Sequence, residues 1–140
     1  MESFDVTSLY TNVSNNDAMQ AILEQLNEYE SSVNTYGLTI TQVMVLIQEC
    51  LECSTFRGSG QYYRQIRELA IRQRLAPVLA IAYMSKTEKP LLDRRSIMYG
   101  RYIDDCFVVC STEEEMDTCY DLLHRQADNI TFTREKPTDD

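Results

Sequence analysis

This 140-residue chain has little glycine, little proline and no long apolar run, and these shortages exclude several protein classes. Four glycines, three prolines and no low-complexity segment argue against disorder, and 44% apolar residues are enough to build a core. No apolar stretch reaches the roughly 20 residues that span a membrane, and no charged-then-apolar leader opens the chain. We therefore expect one intracellular domain, cytoplasmic or nuclear, without a membrane partner.

Histidine is almost absent, since His124 is the only one, and a catalytic histidine dyad is therefore not expected. The five cysteines are predicted to be reduced thiols in an intracellular chain. Cys50 and Cys53, with Cys106 and Cys110, supply enough thiols for a zinc site. The first pair, however, lies in a helical pattern without a knuckle turn. Core thiols are the preferred interpretation for most of the five.

Basic residues are missing from the first 56 positions, which carry eight acidic side chains. Residues 57–101 carry ten basic and three acidic side chains, so a basic belt interrupts a chain with a formal net charge of −9. Arginines and aromatic residues alternate in the belt, a composition that suits phosphate contact and base stacking. An ordinary solvated face paired with acidic helices is the alternative. The candidate nucleic-acid-binding residues are Arg64, Arg67, Arg72 and Arg74.

Hydrophobic periodicity predicts helices alternating with short strands. The predicted helices are 15–31, 39–54, 74–89 and 112–127, and the predicted strands are 3–9, 61–66, 97–102, 105–110 and 130–134. Asn15 or Asn16 is expected to cap the first helix, and Thr39 and Gln42 have the spacing of a capping box at the second. Helices packed on one face of a small antiparallel sheet give an α+β fold.

Two adjacent carboxylates, Asp104 and Asp105, lie at the tip of a predicted hairpin. Each raises the pKa of the other by like-charge repulsion, and a divalent cation is the usual remedy. A solvated turn is the alternative for this pair alone, because aspartate is a favoured turn residue. A third carboxylate, Asp5, lies in a strand pattern, where unpaired carboxylates are depleted. If the two strands are neighbours, the three carboxylates suit two Mg²⁺ ions about 3.5–4 Å apart, the arrangement that drives nucleotidyl transfer.

Three segments resemble the motifs of one enzyme family, in the same order. FDVTSLYTNV (4–13) is similar to motif A, QYYRQIRELAIRQRLAPVLAIAYM (61–84) to motif B, and RYIDDCFVV (101–109) to motif C of reverse transcriptases. Within that family the chain resembles the Penelope-like retroelement group, distant relatives of telomerase. The resemblance implies a polymerase palm with RNA-directed DNA polymerase activity. It also implies Mg²⁺ or Mn²⁺ as cofactor, and RNA template, DNA primer and deoxynucleoside triphosphate as partners.

The resemblance also assigns roles to individual residues. The implied metal-binding set comprises Asp5, Val6, Asp104 and Asp105. Asp5 and Asp104 are the principal catalytic carboxylates in this set, and Asp105 supports them. Tyr10 is implied as the aromatic residue under the sugar of the incoming nucleotide, with Gln73 as a second nucleotide-binding residue. For Tyr10, a buried aromatic at the end of a strand is the alternative.

Motif B departs from the family pattern. Glu68 and Arg72 stand where members usually have the two glycines of Gly-Leu-Ala-Met-Gly. Long charged side chains prevent the close backbone approach to a nucleotide or template that glycine permits. The chain also starts just before motif A and stops before a thumb. We therefore expect residues 1–140 to be a single palm-like domain without fingers and thumb, a fragment of a longer polyprotein.

Two functions are compatible with these features. The intact acidic set favours a metal-dependent RNA-directed DNA polymerase palm. The altered motif B favours a catalytically inactive, retroelement-derived palm that binds nucleic acid or protein. A nucleotide cyclase would also use paired acids, but the order of the motifs argues against it.

Overall fold

The computed structural model describes residues 2–53, 55–64, 69, 73–94 and 98–136, without the side chain of Phe56. The chain forms two compact units, the first of Met1–Asn12 with Met84–Asp140 and the second of Val13–Tyr83. The single-domain expectation stays a prediction. In chain order the elements are β1 (Glu2–Thr7), α1 (Leu9–Asn12), α2 (Asn15–Glu28), α3 (Ile40–Glu52), β2 (Thr55–Gly58), β3 (Gln61–Arg64), α4 (Ala76–Leu92), β4 (Met98–Tyr102), β5 (Asp105–Val109), α5 (Glu113–Gln126) and β6 (Thr131–Glu135).

A four-stranded sheet of order β4-β5-β1-β6 organises the first unit, and every neighbouring pair in it is antiparallel. Side chains alternate across this sheet. In β1, Phe4 and Val6 are buried, whereas Asp5 and Thr7 are exposed on the other side. The first unit therefore has one covered sheet face and one open sheet face.

Helix α5 lies on the covered face of the sheet. The ring of its Tyr120 packs edge-on against Phe4, with 5.4 Å between ring centroids, and its hydroxyl donates to the carbonyl oxygen of Phe132 at 2.7 Å. Thr112 caps α5, since its Oγ1 accepts from the backbone N–H of Glu115 at 3.2 Å. Glu88 of α4 also contacts this face, where it bonds Tyr99 and Arg101 of β4. The predicted α+β arrangement, with helices on one face of a small antiparallel sheet, is confirmed in this unit.

The second unit contains a helix pair and a separate hairpin. Helices α2 and α3 pack against each other, and Ala18, Ala21 and Leu51 of these helices are buried. Strands β2 and β3 form their own two-stranded antiparallel sheet. Ser59 and Gly60 connect them with φ of 51° and 82°, and positive φ at both central residues is the pattern of a type I′ turn. Strand β3 lies within the strand predicted at 61–66, but β2 was not predicted.

Several predicted boundaries need correction. The strand predicted at 3–9 ends at Thr7, because Ser8 takes a left-handed φ of 52° and α1 follows at once. The cap of α2 is Ser14 rather than Asn15 or Asn16, since the Ser14 Oγ accepts from a backbone N–H of the first turn. Helix α4 continues to Leu92, past the end predicted at 89. Pro90 lies in the last turn of this helix, which ends two residues after it.

Other local predictions hold. Thr39 and Gln42 form the predicted capping box of α3. Cys106 and Cys119 are buried, as core thiols should be. Cys50 and Cys53 are exposed and lie outside the core, and Cys110 is half-buried. Among the described residues, no helix is both long and apolar enough to cross a bilayer.

Candidate active site

The register of β1 and β5 brings two of the predicted carboxylates together. Asp5 is the cross-strand partner of Asp105, and both side chains lie on the open sheet face, where they are exposed. Directly opposed residues in an antiparallel pair have Cβ atoms about 4.5–5.5 Å apart, so their side chains are in reach of each other. The strands that carry motifs A and C are therefore neighbours, which the sequence alone could not show.

The third carboxylate lies in the turn between β4 and β5. Tyr102 pairs with Asp105, so Ile103 and Asp104 are the two central residues of a tight hairpin turn. Ile103 has φ of 57°, a conformation in which a β-branched residue is strained. The carbonyl oxygen of Asp104 accepts from the backbone N–H of Val6 at 3.0 Å, and this bond fixes the turn against β1.

The acidic groups on the open face raise the pKa of Asp5 above its usual range. A side-chain hydrogen bond with Asp105 is the largest cause, followed by desolvation and by the charges of Asp105, Asp104 and Glu135. Glu135 of β6 is the partner of Ser3, so it lies on the same face as Asp5. It was missed in the sequence because the strand was predicted to end one residue before it. The face is thus a concentration of negative charge that a cation would relieve.

The donor set at this face fits a hard divalent cation. Ionised carboxylate oxygens are the ligands that Mg²⁺ takes in proteins, and Asp5 and Asp105 present theirs to solvent on one surface. The side chain of Val6 is buried on the other face, so Val6 can contribute only its carbonyl oxygen. Within the described ranges, no group of three or more acidic, histidine or cysteine side chains is arranged to hold a metal ion. The strand register thus brings two carboxylates together, those of Asp5 and Asp105, and Asp104 precedes Asp105 in the turn.

The two residues predicted to bind the nucleotide belong to different units. Tyr10 lies in α1 of the first unit, half-buried, and not at the end of a strand. Gln73 lies in the second unit, where its Nε2 donates to the carbonyl oxygen of Cys50 at 3.0 Å. Their role in nucleotide binding stays a prediction.

The β2–β3 hairpin carries the first part of the basic belt. Arg57 pairs with Tyr62 across the strands, and its guanidinium lies 5.9 Å from the centre of the Tyr62 ring. Arg64 lies on the same hairpin face and bonds Glu52 at 3.1 Å. Arg74 is exposed in the turn before α4. Arg67 and Arg72 fall outside the described residues, as does Glu68.

Comparisons with known proteins identify the family and the fold that this chain is similar to. The model of the reverse transcriptase (RNA-dependent DNA polymerase) family matches residues 3–136. The fold is similar to that of an apo telomerase from Candida tropicalis truncated from its C-terminal domain, with a TM-score of 0.65 and 15% sequence identity. That similarity covers 99% of this chain and 31% of the telomerase chain. No curated protein matches the sequence.

The family match extends over nearly the whole chain, and the chain therefore belongs to the reverse transcriptase family. The α+β fold, a small antiparallel sheet with helices on one face, is the palm-like fold that was predicted. At 15% identity, the likeness to telomerase shows the fold alone. The narrower resemblance to Penelope-like elements stays a prediction.

Proposed function

We propose that this member of the reverse transcriptase family is an RNA-directed DNA polymerase palm that transfers nucleotides with two divalent metal ions. Asp5 and Asp104 are the principal ligands, Asp105 supports them, and Val6 contributes its carbonyl oxygen. The observation that carries the proposal is the cross-strand pairing of Asp5 with Asp105, which joins motifs A and C on one open face. RNA template, DNA primer and deoxynucleoside triphosphate are the proposed partners.

The residues of the site perform two tasks. The strand register holds the carboxylates of β1 and β5 on one surface, so a substrate and its metal ions can approach from solvent. Asp5 must also lose its proton before it binds a cation, and its raised pKa makes this step dependent on pH. Bound Mg²⁺ or Mn²⁺ would polarise the phosphoryl oxygens and stabilise the attacking and leaving oxygens.

Primer extension tests this function. We expect the full chain to extend a DNA primer on an RNA template in Mg²⁺ or Mn²⁺, and to stop when the metal is chelated or when Asp104→Asn is introduced. Extension that survives Asp104→Asn contradicts the metal assignment. The variant Glu68→Gly/Arg72→Gly restores the family residues of motif B, and we expect it to extend faster than the wild-type chain. If neither protein extends a primer, the proposal that this chain is itself a polymerase is contradicted.

A second candidate function is the binding of single-stranded nucleic acid by the β2–β3 hairpin. Three side chains of one hairpin face are exposed and suit this ligand: Arg57, Tyr62 and Arg64. The Tyr62 ring is 77% exposed, which a role in folding does not explain. An exposed ring beside the guanidinium of Arg57 offers a base a stacking surface and offers its phosphates a cation, and Arg64 adds a second cation where a phosphate displaces its partner Glu52.

Fluorescence anisotropy with single-stranded RNA and DNA oligonucleotides measures this binding. We expect Tyr62→Ala to lower the affinity about tenfold, because one stacked base contributes about 1–3 kcal/mol. Arg57→Ala is expected to lower the affinity and to reduce its salt dependence by about one counterion. Tyr36→Ala is the matched control, since Tyr36 is 88% exposed but lies outside the hairpin. An equal loss in Tyr36→Ala would show that the hairpin is not the binding surface.

A further inference from the structure

A buried ion pair lies beneath the hairpin turn of the first unit. Glu88 of α4 and Arg101 of β4 are bonded to each other, and their side chains are only 6% and 10% exposed. The Tyr99 hydroxyl also donates to the Glu88 carboxylate, at 2.8 Å. Removing both charges from water is costly, and a buried pair is often no more stabilising than apolar residues of similar size. Stability alone is therefore a weak explanation for this pair.

The guanidinium of Arg101 makes a second contact, with the turn itself. Its Nη1 donates to the carbonyl oxygen of Ile103 at 3.0 Å, while its Nε bonds Glu88. Ile103 is the residue with the strained left-handed φ. Strained backbone persists only where the surroundings hold it, and Arg101 is a direct restraint on this peptide. Arginine suits the task because its planar fork can donate in two directions at once.

The carbonyl of the next turn residue is also held. The Asp104 carbonyl accepts from the N–H of Val6 at 3.0 Å, and the Cys106 thiol lies 3.9 Å from it. The Cys106 sulfur is in turn 3.2 Å from the Tyr99 hydroxyl. Both central carbonyls of the turn are thereby held, that of Ile103 by Arg101 on the covered face and that of Asp104 by the neighbouring strand β1 within the sheet.

We propose that Arg101 is a positioning residue: held by Glu88, it fixes the Ile103 peptide and so aims Asp104 and Asp105 toward Asp5. This inference rests on the proposed metal-dependent function, because the orientation matters only if the carboxylates act together. Every group in it belongs to the first unit. The residue is expected to act through the turn, without touching the substrate.

Two variants separate positioning from stability. Glu88→Leu/Arg101→Leu replaces the pair with apolar side chains, and the fold is expected to tolerate this change. Arg101→Lys keeps the charge beside Glu88, but a single ammonium cannot reproduce the two-directional contact. The control is Asp121→Leu/Arg125→Leu, which removes the ion pair at 3.8 Å on the surface of α5 in the same unit.

The first measurement needs no metal. Amide hydrogen exchange, measured by NMR, reports how strongly the Val6 N–H is protected. The hydrogen bond from this N–H to the Asp104 carbonyl depends on the conformation of the turn. We expect exchange at Val6 to be at least about tenfold faster in both Arg101 variants, with the melting temperature of the double-leucine variant close to that of the wild-type chain. The control variant should exchange as the wild-type chain does. Unchanged exchange at Val6 in a folded double-leucine variant overturns the proposal.

The second measurement is Mn²⁺ binding by the full chain, which is monitored as a decrease in the EPR signal of the free ion. We expect both Arg101 variants to bind Mn²⁺ about 10- to 100-fold more weakly than the wild-type chain, the range typical of residues that orient metal ligands. Equal affinity in wild type and variants overturns the positioning role even if the wild type binds. Failure of the wild-type chain to bind Mn²⁺ contradicts the proposed function instead, and the exchange measurement then decides the positioning role alone.

Discussion

Replacing Asp5 with asparagine is expected to weaken divalent metal binding by at least about 100-fold, because changes to residues that merely orient ligands already cost 10–100-fold. The same substitution is expected to raise the melting temperature of the metal-free chain by roughly a few degrees. Asparagine removes a charge that Asp105, Asp104 and Glu135 oppose, and its amide can still donate to Asp105. The affinity for Mn²⁺ would therefore fall while the melting temperature rises, a combination that a general loss of structure cannot produce.

The effect of Asp5→Asn depends on pH, and its sign follows from the raised pKa of Asp5. An acid whose pKa is raised on folding contributes stability below its unfolded pKa, and this contribution is lost as the pH rises through the folded pKa. The melting temperatures of wild type and variant should thus be closest in acid and separate as Asp5 ionises. Over the same window, metal affinity of the wild-type chain should rise with pH, because binding displaces the proton.

Asp121→Asn is the control for this prediction. Asp121 is an exposed carboxylate of α5 in the same unit, 3.8 Å from Arg125. Its replacement removes one negative charge at a distance from the open sheet face, and surface changes of this kind usually alter stability by less than about 0.5 kcal/mol. Comparable losses of metal affinity in Asp5→Asn and Asp121→Asn would mean that only net charge matters, and the assigned site would be wrong.

The sequence alone predicted those features of the site that depend on residues close together in the chain. Alternation of apolar and polar residues around Asp5 predicted a strand with the carboxylate opposite its apolar neighbours, and the Asp104-Asp105 pair predicted a hairpin tip. The register that places Asp5 against Asp105 joins residues far apart in the chain, and no local pattern encodes it. Similarity to family motifs supplied that adjacency indirectly.

Buried charge was the feature that periodicity could not reveal. Glu88 lies among polar residues of α4 and has the sequence context of a solvated position, yet it is 5% exposed. Glu2 is a second buried carboxylate, since it is only 9% exposed and bonds Arg134 of β6. In both cases the cation that compensates the carboxylate comes from another element, the next one along the chain for Glu88 and the last strand for Glu2, so the burial can be recognised only once the sheet is assembled.

Phe4→Ala is expected to be the most destabilising of the substitutions considered, at about 3–5 kcal/mol, the usual range for large aromatic side chains in cores. Phe4 is 0% exposed and its ring contacts that of Tyr120, so truncation leaves a cavity between β1 and α5. Urea denaturation of the metal-free chain measures the loss. Thr7→Ala is the matched control in the same strand, because Thr7 is exposed on the open face and should change stability by less than about 0.5 kcal/mol.

The same substitution tests how the core supports the site. Adjacent residues of a strand point to opposite faces, so burial of Phe4 determines that Asp5 projects from the open face, and a slip of one residue would bury the carboxylate. We therefore expect Phe4→Ala to weaken Mn²⁺ binding at urea concentrations that leave the wild-type chain folded, in proportion to the unfolded fraction. A Phe4→Ala chain as stable as Thr7→Ala would show that α5 does not cover this face, and the orientation assigned to Asp5 would lose its physical basis.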